Sequence, residues 1–196
     1  MREVISEKNK DDFLYIVSLI NKSKESALIS VNQELINLYW NVGKYISEKI
    51  KMTEWGEGII NNLADYISLK NPEIKGFTSR GLFRMRQFYE NYYFNPKVSA
   101  LLTQLSWTNH LLILSKTKSM EEKEYYMLLS IRERYSSREL ERQIDSGIFE
   151  RTMLSKKISP IKTQLSKEII SVFKDTYVLD FLDLPINYSE KDLRMG

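Results

Sequence analysis

The sequence from Asp11 to Lys51 reads DDFLYIVSLINKSKESALISVNQELINLYWNVGKYISEKIK, and this stretch decides the fold. Its apolar residues recur at helical spacing, at Phe13, Ile16, Ile20, Val31, Leu35, Leu38, Val42, Ile46 and Ile50. No proline interrupts the pattern. One helix over about 40 residues would be ~60 Å long, which exceeds the usual length. The pattern therefore predicts a long N-terminal helix, with a break between Ser23 and Ser30 as the alternative.

Start and stop signals divide the rest of the chain into shorter helices. Asn71-Pro72 and Asn95-Pro96 each end a helix, because the residue before a proline disfavours the α conformation. Two S-x-x-E capping boxes, at Ser119 and Ser136, each begin a helix, and Gly147 stops the second one. The predicted helices cover about 57–69, 79–93, two short pieces within 99–115, 119–134, 136–146 and 161–174, with a helix start at Ser189 and a weak strand at 177–179.

The expected fold class is therefore all-α, a helical bundle with a long N-terminal helix and helix-turn-helix-like hairpins. The chain has 196 residues, of which 42% are hydrophobic and 28% are charged, so one domain with a tail at most is expected. Its formal net charge of +3 is compatible with a polyanionic partner but does not require one.

The residues that are rare or missing exclude several classes of site. The chain has no cysteine and one histidine, His110, which excludes disulfides, thiol nucleophiles, cysteine-ligated metals and two-histidine metal sites. No metal and no cofactor is expected. No apolar run approaches the ~20 residues of a membrane span, and the charged N-terminus lacks the core of a signal peptide. A cytoplasmic protein without a membrane partner is expected.

The segment from Gly76 to Tyr93 predicts an amphipathic helix with a basic outer face. One side carries the apolar residues Leu82, Met85, Tyr89 and Tyr92. The opposite side carries Arg80, Arg84, Gln87 and Asn91, with Arg86 and Lys75 beside them. Arginine and amide side chains are those that reach base edges and phosphates in a major groove, so these six residues are candidate nucleic-acid contacts. The alternative is an ordinary solvated face, because the preceding turn is longer than in a helix-turn-helix.

A second basic cluster surrounds the turn at 135–137 between two predicted helices. This turn has the length found in helix-turn-helix units. The cluster contains Arg132, Arg134, Arg138 and Arg142. Arg138 and Arg142 are the candidate nucleic-acid contacts of this cluster. The alternative is a packed antiparallel hairpin, in which Glu133, Glu139 and Glu141 pair with the arginines at helical spacing.

No set of residues predicts a catalytic centre. Two E-x-K tripeptides begin at Glu73 and Glu121, and metal-dependent nucleases use such a spacing on a strand that follows an acidic residue. Here Glu73 follows a proline in a loop and Glu121 begins a helix, so chance explains both matches. His110 lies close to Trp107 and is expected to be a buried or half-buried histidine that caps a helix.

Several motifs along the chain resemble those of one protein family. They are Val31–Ile36, Leu38–Gly43, Trp55–Ile60, Gly76–Arg80, Met85–Tyr89, Leu105–Trp107, Arg138–Ile144 and Phe173–Leu182. In this order they are similar to the N-terminal helical domain of the YhcG-like proteins, over about residues 16–193.

The resemblance implies a protein of two parts. Family members join this helical region to a C-terminal nuclease-like domain of the PD-(D/E)xK superfamily, which holds the metal-binding acidic residues and the catalytic lysine. The implied division is a helical N-terminal domain at residues 1–175, followed at 176–196 by a linker and the start of a nuclease-like domain that this chain lacks. The resemblance therefore carries no catalytic residue over to this chain.

Two functions fit these observations. In the first, the domain binds nucleic acid for a nuclease-like protein, with duplex DNA as the expected partner and lysines and arginines docking on phosphates. In the second, it is an oligomerisation or protein-interaction module, and the long helix contacts another copy or another protein. Aromatic residues suited to such an interface are Tyr15, Tyr39, Trp40 and Tyr45.

Overall fold

The structure, a computed structural model, describes residues 7–52, 55–56, 58–155 and 177, and every regular element among them is a helix. The elements are α1 (Glu7–Lys51), α2 (Ile59–Lys70), α3 (Ser79–Tyr92), α4 (Pro96–Leu102), α5 (Trp107–Lys116), α6 (Met120–Glu133), α7 (Ser137–Asp145) and α8 (Ile148–Ser155). The all-α prediction is confirmed. The predicted helix at 161–174, the helix start at Ser189, the boundary at 175–176 and, apart from Tyr177, the strand at 177–179 lie outside the described residues.

The long N-terminal helix is continuous, and the alternative break between Ser23 and Ser30 does not occur. Its C-terminal half packs along α3, the most extensive helix pair in the described part of the chain. Leu35, Ile36 and Ile46 of α1 are fully buried there. A Cβ atom on Gly43 would lie 2.1 Å from the backbone oxygen of Met85, so this position admits only glycine at the observed helix separation.

The core between α1, α3 and α5 is aromatic. The ring of Trp107, at the first residue of α5, has its centroid 4.6 Å from that of Tyr39 and 5.2 Å from that of Phe88. His110 is fully buried in the same cluster, 4.8 Å from Phe88 between ring centroids. Its Nε2 atom lies 2.8 Å from the carbonyl oxygen of Leu102, the last residue of α4. The prediction of a buried histidine at a helix end is confirmed.

Local capping signals fix the ends of the later helices. The Ser119 hydroxyl accepts a hydrogen bond from the Glu122 amide at 3.1 Å, and the Ser136 hydroxyl accepts one from the Glu139 amide at 3.3 Å, as the two S-x-x-E signals predict. Gly147 adopts a φ of +64° just after α7, as the stop signal predicts.

The N-terminal part of α1 extends away from this core. Every side chain from Asn9 to Ala27 is exposed except that of Glu25, which is half-buried, and Leu28 is the first buried residue. We call residues 9–27 the N-terminal arm. As a helix of this length, the arm is ~30 Å long. None of the described helices combines the length and hydropathy needed to cross a membrane.

Candidate nucleic-acid interface

Helix α3 is anchored so that one side faces the core and the other faces outward. The Thr78 hydroxyl caps its N-terminus by accepting a hydrogen bond from the Gly81 amide at 3.2 Å. The inward side chains are buried, and they are Leu82, Met85, Phe88, Tyr89 and Tyr92. With this side fixed by packing, helical periodicity directs Arg80, Arg84, Gln87 and Asn91 to the other side, as the sequence predicts. We call these four residues the α3 outer face.

The four residues of the α3 outer face differ in their surroundings. Arg80 and Gln87 are exposed, and neither side chain has a hydrogen bond or ion pair with the residues that the structure describes. Arg84 is half-buried, and its Nη1 atom donates to the Tyr177 hydroxyl at 3.4 Å. Asn91 donates from Nδ2 to the backbone oxygen of Gln87 at 2.9 Å, so part of its hydrogen-bonding capacity is used within the helix.

The charge of Arg86, beside this face, is neutralised within the fold. Its Nε atom lies 2.9 Å from Oε1 of Glu90, one helical turn later, and the same oxygen accepts a hydrogen bond from buried Ser47 of α1. Burial alone would raise the pKa of Glu90, but the hydrogen bonds from Arg86 and Ser47 outweigh burial and hold the pKa below its usual value. Through Glu90, Arg86 therefore helps to connect α3 to α1, and its positive charge is already paired.

The connection from Asn71 to Thr78 brings the chain from α2 into α3. Lys75 is exposed here, and its Nζ atom donates to the carbonyl oxygen of Pro72 at 3.0 Å. Gly76 has a φ of +85°, which a glycine adopts without strain. This connection is longer than the three or four residues of a helix-turn-helix turn, so α2 and α3 form a looser pair than that motif.

Two of the four arginines in the second basic cluster, around α6 and α7, are ion-paired. Arg142 of α7 contacts Glu139, and Nε of Arg132 lies 2.8 Å from Oε1 of Glu133. Hydrogen bonds from Arg142 and Gln143 lower the pKa of Glu139, which is consistent with a carboxylate held between donors. The alternative interpretation of this segment holds for the pair of Arg142 with Glu139, whereas Glu141 pairs with Lys116 of α5 at 2.9 Å.

Two arginines of this cluster have no ion pair among the described residues. Arg138 is exposed on α7, and Arg134 ends α6 with a φ of +51°. Of the two predicted contacts in this cluster, Arg138 therefore carries free charge, whereas the charge of Arg142 is compensated by Glu139.

The residues considered for catalysis do not come together. Glu73 is exposed in the connection between α2 and α3, and Glu121 is exposed in the first turn of α6. Over residues 7–52, 55–56, 58–155 and 177, no group of three or more His, Cys, Asp or Glu side chains could hold a metal ion.

The interaction-module hypothesis is wrong for two of its four aromatic residues. Tyr39 is buried against Trp107, and Trp40 is half-buried against Tyr89, with ring centroids 4.9 Å apart. Both rings belong to the core of their own chain. Tyr15 and Tyr45, by contrast, are exposed, at 64% and 55%.

A cleft of about 560 Å³ was not predicted from the sequence. It lies between α1, α4, α5 and α6, and Asn32 and Asn109 are among its lining residues. Both asparagines are buried, and their Oδ1 atoms accept no hydrogen bond in the described part of the chain. Asn32 donates instead to the carbonyl oxygens of Thr103 and Leu105, at 3.1 and 3.0 Å. The only sequence signal for this cleft is a polar Asn32 among the apolar positions of α1.

Comparison with known proteins relates most of the chain to one family. Residues 15–151 match the family model described as the DUF1016 N-terminal domain. The chain is also similar to the curated protein "Putative nuclease YhcG" of Escherichia coli (strain K12), with 25% identity over 217 residues. The alignment covers 90% of this chain but 56% of that protein, so the chain spans about half the length of this relative. No solved structure matches the chain. The resemblance to the YhcG-like proteins is thus confirmed, and the chain belongs to the DUF1016 N-terminal domain family.

Proposed function

We propose that this domain binds duplex DNA through the α3 outer face, as the non-catalytic targeting part of a nuclease-related protein. The observation that carries the proposal is the free positive charge of Arg80 and Arg84. The two side chains are one helical turn apart and have no carboxylate partner among the described residues, whereas Arg86, Arg132 and Arg142 each have one. The similarity to a protein named as a nuclease supports a nucleic-acid partner.

The packing of α3 on the core holds the α3 outer face in a fixed position before any ligand binds. Because five buried side chains hold α3 against the core, the outward side chains project from a fixed backbone, which lowers the ordering cost of binding. Arginines there form charge-assisted hydrogen bonds to phosphates, and arginine or glutamine that reaches a base edge pairs with guanine or adenine.

The other predicted contacts take secondary roles. Lys75 lies at the N-terminal side of α3 and Arg138 lies on α7, and each adds an exposed positive charge. Arg86 and Arg142 reach a phosphate only by giving up an ion pair, so we rank both below Arg80, Arg84 and Gln87.

The test is duplex-DNA binding by fluorescence anisotropy over a salt series, with wild type and two charge-matched variants. One variant carries Arg80→Gln and Arg84→Gln, and the other carries Lys116→Gln and Arg132→Gln, two cations that are each paired with a carboxylate. Both lose two positive charges, but only the first loses charges without a carboxylate partner. We expect the first variant to bind more weakly and its salt slope to fall by roughly 2, because each phosphate contact contributes about 0.9. The control variant keeps a slope near that of wild type.

Two results would contradict the proposal. An unchanged affinity and slope for the Arg80/Arg84 variant would mean that the α3 outer face is a solvated surface. An equal loss in both variants would mean that binding follows net charge alone. Thermal unfolding of each variant checks that the fold is intact, because Arg84 also contacts Tyr177.

A further inference from the structure

We propose that Phe94, just beyond the C-terminal end of the α3 outer face, stacks on an unpaired base beside the bound duplex. The domain then prefers DNA in which a duplex meets a single strand. This inference rests on the proposed function, because the α3 outer face holds the adjacent duplex. Three features carry it: the exposure of the Phe94 ring, its register with the α3 outer face and the positive charge at this end of α3.

The Phe94 ring is open to solvent although its neighbours are packed. Phe94 is 78% exposed, more than any other aromatic residue in the described part of the chain. Its ring centroid lies 3.6 Å from that of Tyr93, which in turn stacks on buried Tyr89 at 5.1 Å between centroids and 19° between ring planes. The three rings form a series from the core to the surface. Phe94 ends this series with an open surface that a planar base can cover.

Helical register places Phe94 in line with the α3 outer face. Residues 80, 84, 87, 91 and 94 are separated by alternating steps of four and three positions, which is the spacing of one helix face. Although α3 ends at Tyr92, the backbone continues this path. Tyr93 has a φ of −63° and a ψ of −23°, and the Asn95 amide donates to the Tyr92 carbonyl oxygen at 3.0 Å. Phe94 therefore lies one turn beyond the α3 outer face, ~20 Å along the helix axis from its first residue.

Two lysines supply positive charge at this end of α3. Lys97, in the first turn of α4, is exposed and has no ion pair with the described residues. Lys51 of α1 is also exposed, and its Nζ atom lies 4.7 Å from the centroid of the Tyr93 ring. Part of the Lys51 charge is balanced by Glu90, whose pKa it helps to lower. Lysines so placed attract the phosphates on either side of a stacked base, so the aromatic and cationic contacts act on the same nucleotide.

The surroundings of Phe94 favour a nucleotide over an apolar protein surface. Exposed apolar residues that occur singly are ordinary on protein surfaces, and a protein interface has a contiguous apolar centre. Around Phe94, the polar side chains of Asn91, Asn95 and Lys97 interrupt any such patch. A nucleotide matches this mixture, because its flat base covers the ring and its phosphate meets the lysines.

The test measures the affinity of the complete chain for tailed duplexes by fluorescence anisotropy. One probe carries a single-stranded thymidine tail, and a second carries a tail of abasic nucleotides, which keeps every phosphate but removes the bases. Each is made with the tail at the 3′ end and at the 5′ end. We expect the wild type to bind at least one thymidine-tailed duplex about fivefold more tightly than its abasic counterpart, since one stacked base contributes at least that factor.

Three variants identify the ring that is responsible. Phe94→Leu keeps an apolar side chain but removes the ring, so the two affinities should become nearly equal. Phe94→Trp retains a stacking surface and should keep the preference. Tyr15→Leu is the matched control, because it removes a ring that is 64% exposed on the N-terminal arm, and it should leave the preference unchanged. Circular dichroism checks that each variant remains folded.

A direct readout uses 2-aminopurine at the first unpaired position of the tail. Stacking on Phe94 quenches its fluorescence, and Phe94→Leu should restore most of the lost signal. Equal affinities of the wild type for thymidine and abasic tails, or a preference that Phe94→Leu retains, would overturn the stacking contact while leaving duplex binding by Arg80 and Arg84 intact. A wild type that binds none of the probes would contradict the proposed function and this inference together.

Discussion

His110 is the residue whose environment has the clearest consequence for stability. Its ring is fully buried against α3 and α4, and burial lowers its pKa from the ordinary 6.5 to about 4, although the hydrogen bond to Leu102 opposes this shift. The unfolded chain therefore binds the proton more tightly than the folded chain does. Stability is complete above about pH 6.5 and is lost as the pH falls towards 4.

We expect the free energy of unfolding to fall by about 2 kcal/mol between pH 7 and pH 5, from this residue alone. Urea denaturation at the two pH values measures the loss. The variant His110→Gln retains an amide donor but does not titrate, so its stability should change far less between these pH values. The carboxylates with lowered pKa values, Glu90 and Glu139, lose their contribution only at lower pH. An equal pH dependence in wild type and variant would contradict this assignment.

At the scale of single residues, the sequence predicts a feature when the residues that produce it are close together in the chain. Ser119 and Ser136 cap helices as predicted because the cap joins a serine hydroxyl to an amide only three residues later. The left-handed conformation of Arg134 has no such signal, since glycine or asparagine is the usual residue there. The pairing of Arg86 with Glu90 was accessible from their i, i+4 spacing, whereas the hydrogen bond from Ser47 to the same carboxylate was not, because it joins two helices.

The packing of α1 on α3 dominates at the scale of elements, and Gly43 allows it. Two effects of opposite sign meet in the variant Gly43→Ala. Helix propensity favours alanine by about 1 kcal/mol, but its Cβ atom would lie 2.1 Å and 2.6 Å from backbone atoms of Met85. A clash with backbone is relieved only by moving a helix, so overpacking outweighs propensity.

We expect Gly43→Ala to lower the free energy of unfolding by about 2 kcal/mol, because overpacking costs 1–3 kcal/mol or more. Gly56→Ala is the control, since a Cβ atom there has no neighbour within 4 Å, and its effect should stay within about 0.5 kcal/mol. Chemical denaturation of the three proteins compares them. A stabilising Gly43→Ala would mean that α1 and α3 separate at little cost.

The periodicity of apolar residues predicted where the helices lie better than it predicted which surfaces they pack against. The spacing of apolar residues gave the long helix and the buried side of α3, both confirmed. The spacing does not show whether an apolar side packs within the chain or against another molecule. We therefore expected Tyr39 and Trp40 at an interface, whereas both pack in the core of their own chain. The cleft near Asn32 has no periodic sequence signal.

At the scale of the whole molecule, the described residues contain no group of three or more His, Cys, Asp or Glu side chains that could hold a metal ion, and the similarity to YhcG covers 56% of that relative. We expect the purified chain to leave supercoiled plasmid DNA intact in the presence of Mg²⁺ or Mn²⁺, with a metal-dependent nuclease as the positive control. The reason is that metal-dependent phosphodiester cleavage needs clustered carboxylates to hold the metal ions. Cleavage that disappears in Glu73→Gln or Glu121→Gln would contradict this expectation.

The continuity of α1 also has a consequence for hydrogen exchange. The same uninterrupted helix contains the exposed arm and the fully buried positions at Leu35 and Ile46. The arm does not pack on the described core, so its amides are protected by helix formation alone within that part of the chain, and such protection is marginal. Amides of the buried half open only when the core unfolds. One helix therefore spans two exchange regimes, and the boundary between them lies near Leu28.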